Sequence, residues 1–428
     1  MQRVKKFPEL VTKARALSRF NKIFGDIVDP KDGLEHLDFL EKSGKTWLIC
    51  LGGYNQSTQY HPGYLLTSIA IEAINWFLIS RLIILCLTDN HNLSFYLGDI
   101  FYGTSTRFYM NAVFGVSSIL LGGIRSFIFW SEQFKNLHWM NYFASIKKNG
   151  FRTDMLHISQ SDLKILRSRL YISRKIFTFF TPLTIISLAS IFTFAVVSNP
   201  VTYSSTVRLI FIIGWTGATF VAAVFAIATA IWMSIHVYVL IVYTILRLDH
   251  ITRVTEGLIR LPIIPVHLIR SVINEQSSLF NSIDKMNNQL SNLFLFGYNY
   301  AAFAADFLLY IALIMPKDNL FNNVLVFGFG IEASGIVIII VYLSSTIHIK
   351  THQTYSYYHE MIEKLPNVML NETIINYKIL GILERIGGPV IGIYIGTMFP
   401  LTYYQFATFL LENASLMLLL AGALQNIM

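Results

Sequence analysis

The sequence contains little charge: Asp, Glu, Lys and Arg make up 14% of its 428 residues, whereas 54% are hydrophobic. Soluble domains carry about 25% charged residues, so this composition excludes an ordinary soluble protein and predicts a membrane protein. Only two cysteines are present, Cys50 and Cys86, which is too few for a disulfide framework. Residues 1–25 are basic but lack an apolar core with a small-residue cleavage site, so we expect no cleaved signal peptide.

The usual sequence signs of an enzyme or a nucleic-acid-binding protein are also missing. The net charge of +8 comes from basic residues scattered between apolar segments, and not from one basic patch, so we expect no nucleic-acid partner. Neither a phosphate-binding loop nor a nucleophile elbow occurs. His348 and His352 lie four residues apart without the glutamate of an HExxH motif, so we expect no catalytic residues, no bound metal and no cofactor.

Seven apolar segments are long enough to cross a bilayer, for which a helix needs about 20 residues. They cover residues 64–87, 108–130, 176–198, 209–233, 292–315, 324–346 and 400–424. The connections on one side contain 28 Lys and Arg residues, whereas those on the other side contain only Arg107, Arg208 and Lys317. The positive-inside rule therefore predicts a cytoplasmic amino terminus and an extracellular carboxyl terminus in the plasma membrane. This orientation excludes G-protein-coupled receptors, whose amino terminus is extracellular.

The connections on the predicted cytoplasmic side have helical patterns of their own. The fourth span continues without a breaker, an amphipathic helix at 266–290 leads into the fifth span, and 372–386 is helix-like. Gly388, Gly392 and Gly396 follow at intervals of four and predict a small-residue face for close helix packing, and Pro400 predicts a helix break. We therefore divide the chain into a cytoplasmic region (1–63), six spans with cytoplasmic helical extensions at 131–175 and 247–290 (64–346), anchor helices (347–399) and a seventh helix (400–428).

The last span carries a polar stripe along one helical face. Gln405, Thr408, Glu412 and Ser415 recur at spacings of three and four, and Leu419 and Gly422 continue the face. A carboxylate at membrane depth is costly, so Glu412 should face a protein partner or a water-filled path. One interpretation is a packing face, with Glu412 paired to a buried donor. The other is the lining of a pore in a symmetric oligomer, with candidate residues Gln405, Thr408, Glu412, Ser415, Leu416, Leu419, Leu420 and Gly422.

This arrangement of spans, with cytoplasmic helical extensions and a divided last helix, resembles the insect-type gustatory and odorant receptor superfamily. The resemblance rests on the run ERIGGPVIGIYIGTMFPLTYYQF at 384–406 and on a chain that ends directly after the last span. The family's last span usually carries Thr-Tyr, several apolar residues and Gln-Phe. That pattern can be placed on Met398-Phe399 with Gln405-Phe406, or on Ser415-Leu416 with Gly422-Ala423. The second placement keeps the family's topology, and its lost Gln-Phe pair indicates a divergent member.

The resemblance implies an all-α membrane protein that forms a homotetramer in membrane lipids around a central cation pore lined by the last helix. It also implies a gustatory-like receptor gated by a small molecule bound among the outer halves of the spans. Candidate ligand residues there are Trp76, Arg81, Tyr109, Asn111, Trp215, Asp306, Tyr310, Phe327, Phe329 and Glu332. Aromatic and polar groups together suit a sugar, a bitter compound or an amine.

Other interpretations of the same residues stay open. The aromatic side chains could instead anchor the helices at the membrane interface, and Arg81 could pair with Asp306, Glu332 or Glu72. A receptor or transporter without its own pore is the alternative function, as is a light- or peroxide-sensing member of the superfamily.

Overall fold

The computed structural model describes residues 32–55, 61–262, 264–314, 320–364 and 373–425. The helices are α1 (Asp32–Thr46), α2 (Pro62–Leu87), α3 (His91–Tyr96), α4 (Arg107–Gln133), α5 (Asn141–Asn149), α6 (Thr153–Leu156), α7 (Gln160–Ser198), α8 (Thr206–Ile259), α9 (Val266–Ile314), α10 (Leu320–Lys364), α11 (Thr373–Gly387) and α12 (Tyr403–Gln425). Two short 3-10 turns, at His138–Met140 and Pro200–Tyr203, and two short strands complete the described secondary structure.

Six of the described helices, α2, α4, α7, α8, α9 and α10, are long and apolar enough to cross a membrane. They support a multi-pass membrane protein, as its composition predicts. The segment expected to form the seventh span is the 23-residue helix α12. Its crossing of the membrane stays a prediction.

The two ends of the helix bundle differ. At one end, which we call the loop side, residues 88–106 and 199–205 make short connections. At the other end, which we call the anchor side, α1 packs on α7 and α8, and α11 packs on α9 and α10. There Tyr142 of α5 stacks on Tyr243 of α8, whose hydroxyl donates to the Leu156 carbonyl of α6. The helices α8, α9 and α10 have 54, 49 and 45 residues, well beyond the roughly 20 that a crossing needs. Helices α8 and α9 thus continue beyond the predicted fourth and fifth spans, and the assignment of these extensions to the cytoplasm stays a prediction.

Side chains and carbonyls of α1 and of the segment after it attach this helix to the bundle. Trp232 on α8 donates its indole N–H to the Leu40 carbonyl at 2.8 Å, and the Tyr54 hydroxyl lies 2.9 Å from Nε2 of the fully buried His236. Burial alone would raise the pKa of the Glu41 carboxyl, but hydrogen bonds from Lys147 and the Tyr54 N–H outweigh it and hold the pKa below its ordinary value. Polar contacts therefore fix α1 on the anchor side.

The connection between α11 and α12 is a small β-hairpin instead of a helix. Strand β1 (Tyr394–Ile395) pairs antiparallel with β2 (Phe399–Pro400). The predicted helix break is confirmed, but it begins well before Pro400, because residues 388–402 are all non-helical. The predicted helical packing face of Gly388, Gly392 and Gly396 is therefore wrong, since a spacing of four aligns residues only on a helix.

Hydrogen bonds fix this hairpin to α9. The N–H of Gly396 donates to the Ser291 carbonyl at 3.0 Å, and the N–H of Tyr394 donates to the Asn287 side-chain oxygen at 2.7 Å. Gly396 has a φ of +58°, where a side chain is disfavoured. A Cβ there would also lie 3.1 Å from a Leu295 methyl carbon. The turn and the close approach to α9 both require glycine.

We predict that Gly396→Ala destabilises the connector by about 1–2 kcal/mol, the cost of a left-handed backbone for a residue with a Cβ. The measurement is the thermal unfolding temperature of the detergent-purified protein. Gly392→Ala is the matched control, because its Cβ would make an ordinary 3.8 Å contact with His348. Equal unfolding temperatures for the two variants would contradict this account of the hairpin.

Candidate ligand region and final helix

A buried ion pair links α2 to α4 inside the bundle. Nε of Arg125 lies 2.8 Å from Oε1 of Glu72, and both residues are almost fully buried. The Ser126 hydroxyl donates to the other Glu72 oxygen at 2.5 Å, and the Trp76 indole N–H donates to that hydroxyl at 3.0 Å. An ion pair at one oxygen and a hydrogen bond at the other thus compensate a carboxylate inside an apolar bundle, where an unpaired one would be very costly.

The same arginine reaches two further elements. It donates to the Thr229 hydroxyl on α8 and to the Ser68 hydroxyl on α2, both at 3.3 Å, and it lies 3.5 Å from the Leu48 carbonyl. Arg125 therefore connects α2, α4, α8 and the segment that follows α1. The sequence pattern did not indicate the role of Arg125, because its partners are distant in sequence.

The structure brings two of the predicted ligand residues, Arg81 and Trp215, together on the loop side. The Arg81 guanidinium lies 5.1 Å from the Trp215 ring and donates to the carbonyls of Leu97 and Gly98 at 2.6 and 2.9 Å. The suggested pairing of Arg81 with Glu72 is wrong, because Arg125 occupies that carboxylate. Arg81 instead holds the end of α3 against the spans.

A second polar cluster on the loop side contains the predicted residue Asn111. Its side-chain amide donates to Asp99 at 3.3 Å, and Nε of Arg107 forms an ion pair with Asp99 at 2.6 Å. Arg107 also contacts Asp89 at 2.9 Å. Asp99 lies in a connection, so hydropathy gave no reason to select it.

The remaining predicted ligand residues do not converge on one point. Tyr109 and Phe329 pack together with Phe307 on a buried loop-side cluster. Asp306 and Tyr310 are half-buried on α9. Phe327 is exposed, and the side chain of Glu332 lies outside the described residues. The structure thus separates the predicted set into several groups, and the ligand site as a whole stays a prediction.

Trp76, also predicted in the outer ligand region, lines a groove of about 450 Å³ between α2, α4 and α9. The lining residues are Trp76, Ile119, Gly123, Ser126, Phe127, Trp130, Ser131, Phe134, Asn136 and Phe296. Most of them lie on α4 toward Gln133, its anchor-side end. The side chain of Trp76 therefore points away from the loop-side groups described above.

The final helix α12 packs on α9 and α10 along one face only. Tyr403 and Phe406 approach the Tyr342 ring on α10, with ring centroids 5.7 and 5.9 Å apart. Elsewhere on α12 large apolar side chains are uncovered, and Tyr404 and Leu418 are 77% and 74% exposed. A broad face of this helix therefore has no cover within the described part of the chain.

The predicted polar stripe lies only partly on this uncovered face. Glu412 and Ser415 are exposed, whereas Gln405 and Thr408 are partly buried. Leu416, Leu419, Leu420 and Gly422 belong to α12, but their side-chain environments lie outside the described residues. The packing interpretation, with Glu412 paired to a buried donor of its own chain, finds no support in the exposure of Glu412.

We predict that Glu72→Gln lowers the free energy of unfolding by about 3 kcal/mol or more, because it leaves the buried Arg125 charge without compensation. Thermal unfolding in detergent measures the loss. Glu363→Gln, at an exposed carboxylate on α10, is the control and should change little. If the two variants unfold at the same temperature, the pair does not stabilise the bundle.

No protein-family model and no curated protein matches the sequence. Among solved structures, the chain is similar to the insect olfactory receptor OR5 from Machilis hrabei in complex with eugenol, with a TM-score of 0.56 and 12% identity over 92% of this chain and 100% of that chain. A second OR5 structure covers 80% of this chain and 87% of that one, with 14% identity and a TM-score of 0.49. The chain therefore has the fold of an insect olfactory receptor, and the resemblance predicted from its sequence is confirmed at the level of the fold.

Proposed function

We propose that this chain is a subunit of a chemosensory ion channel that opens when a small molecule binds among its membrane-spanning helices. The observation that carries the proposal is the similarity to the OR5 structure over the full length of that receptor, which was solved with eugenol bound. A gustatory-like stimulus such as a sugar, a bitter compound or an amine is the expected class of ligand. The chain itself makes the pore.

In this proposal four copies surround a central pore, and each contributes the uncovered face of α12. The exposure of Glu412 and Ser415 supports this placement. Four Glu412 carboxylates would form a ring, and such rings favour cations by raising their local concentration. Leu416, Leu419 and Leu420 would form the apolar constriction that closes the pore by excluding water.

The ligand would bind on the loop side, which is extracellular in the predicted orientation. The aromatic residues Tyr109 and Phe329 and the half-buried residues Asp306 and Tyr310 are the most suitable lining residues, since such sites combine apolar walls with a few polar groups. Arg81 and Trp215 would not contact the ligand directly and would instead hold α3 in place.

The experiment that tests the proposal is whole-cell recording from cells that express this chain alone, with surface labelling to confirm delivery to the membrane. Sugars, bitter compounds, amines and ultraviolet light form the stimulus panel. A stimulus-dependent cation current is expected. Protein at the surface that gives no current with any stimulus would favour a receptor or transporter without its own pore.

We predict that Glu412→Gln lowers the unitary conductance or the permeability to divalent cations, because it removes the ring of negative charge. Glu412→Asp is the matched control, since it keeps the carboxylate and should retain most of the conductance. Single-channel recording at low ionic strength gives the largest difference, because salt screens the ring. Identical conductance in all three proteins would place Glu412 outside the conduction path.

We predict that the amino terminus is cytoplasmic and the carboxyl terminus extracellular, because of the 28 to 3 distribution of Lys and Arg between the two sides. In intact cells an epitope at the carboxyl terminus should bind antibody, whereas an epitope at the amino terminus should do so only after permeabilisation. The reverse pattern would refute the orientation and place the anchor side outside the cell.

A further inference from the structure

A polar cavity of about 520 Å³ lies on the anchor side between α8 and α9. Its lining residues are Arg247, Asn274, Ser277, Ser278, Asn281, Ser282 and Lys285. Every one of these side chains carries a hydrogen-bond donor, and none carries a carboxylate. The volume is typical of a site for a small molecule, and the lining chemistry suits an anion.

The arginine of this cavity is only 6% exposed. Arg247 forms an ion pair with Glu275, and the other Glu275 oxygen lies 3.0 Å from Nδ1 of His157. The Nε–H of Arg247 is buried without a hydrogen-bond partner among the described residues. A buried donor left in this state costs about 1–3 kcal/mol, so an acceptor brought by a ligand would stabilise it.

Further positive charge surrounds the cavity. Lys285 is exposed and has no ion-pair partner within the described part of the chain. From α11, Lys378 donates to the Asn274 side chain at 3.3 Å and Arg385 donates to the Asn281 side chain at 2.9 Å. Both asparagines line the cavity, so these two cations lie at its rim.

The acidic groups nearby do not cancel this charge. Glu275 pairs with Arg247, and Asp284 pairs with Arg385. Lys285 and Lys378 are left without a compensating carboxylate among these groups. A multiply charged anion with several acceptor oxygens, such as a phosphate ester, matches this excess of charge and donors better than a single carboxylate does.

The depth of the cavity indicates where such an anion would come from. A helix rises about 1.5 Å per residue, so Lys285 lies roughly 10 Å, and Asn274 roughly 27 Å, beyond the predicted start of the fifth span at residue 292. The headgroup region of a bilayer extends only about 5–8 Å beyond its hydrocarbon core. Most of the cavity is therefore open to soluble molecules and too distant for a lipid headgroup.

We propose that this cavity is a binding site for the phosphate groups of a soluble cytosolic anion. The phosphate oxygens would accept hydrogen bonds from Arg247, Lys285 and the serine hydroxyls of α9. Because α9 continues from the cavity into its span without a break, the bound anion would contact the same helix that supports the hairpin before α12. The site is separate from the proposed ligand region on the loop side.

The test is calorimetric binding of inositol hexakisphosphate to the full-length protein in detergent. Ser278 is exposed, so its replacement should not disturb packing. Ser278→Glu places a negative charge in the cavity and should weaken binding at least tenfold, because like charges brought together cost more than 1.4 kcal/mol. Ser278→Gln has nearly the same size without the charge and should bind like the original protein.

A second pair of variants tests the contribution of the unpaired lysine. Lys285→Gln should weaken binding about tenfold, which is the size of one lost charge-assisted hydrogen bond. Lys148→Gln, at an exposed lysine on α5, should leave binding unchanged. Equal affinity of Ser278→Glu and Ser278→Gln, or no binding by the original protein, would overturn the proposal, and the latter would indicate a cavity covered by another subunit.

A competition arm distinguishes a soluble anion from a lipid headgroup. The protein is reconstituted in phosphatidylcholine vesicles with or without a phosphoinositide bisphosphate, and binding of the soluble probe is measured again. Unchanged affinity supports the cytosolic source, whereas displacement by the lipid overturns that source. None of these measurements needs a current. The test of the anion site is therefore independent of the proposed channel function.

Discussion

The ion pair between Arg125 and Glu72 is the constraint on which the arrangement of the bundle depends. Two charges removed from water are stable only when they are paired and hydrogen-bonded, and here Ser126, Ser68 and Thr229 supply the additional bonds. The charges lie on α2 and α4, so rotation or sliding of either helix would leave a charge uncompensated, and movement of α8 would remove the hydrogen bond between Arg125 and Thr229. Apolar packing alone tolerates such movements far better. The pair therefore sets the relative register of three spans.

The long helices extend this arrangement of the spans to the anchor side. Helices α8, α9 and α10 run without interruption from their spans into the anchor region. Each of them therefore connects its span directly to the anchor side. The hairpin that precedes α12 is hydrogen-bonded to α9, and α12 itself packs on α9 and α10. The final helix is thus positioned by elements that extend through both the membrane and the anchor side.

The sequence predicts the helices far better than it predicts which side chains meet. Hydropathy and periodicity located the six described spans and the extension at 266–290, because they depend on residues that are close in the chain. Glu72, one of three carboxylates considered for Arg81, pairs instead with Arg125, a contact that depends on how the helices are rotated in the bundle. The glycines at 388, 392 and 396 were misread as a helical face, because a spacing of four says nothing about whether the backbone is helical.

The proposed assembly of several copies depends on the residues of helix α12. A carboxylate at the bilayer centre costs about 2.5 kcal/mol or more, yet Glu412 is exposed, as is Ser415 on the same face. Tyr404 and Leu418 are exposed on the same helix, so α12 presents both an apolar surface and a charged stripe. Lipid can cover the apolar surface but not the stripe. The proposed arrangement, in which several copies turn their stripes toward a shared aqueous path, satisfies both.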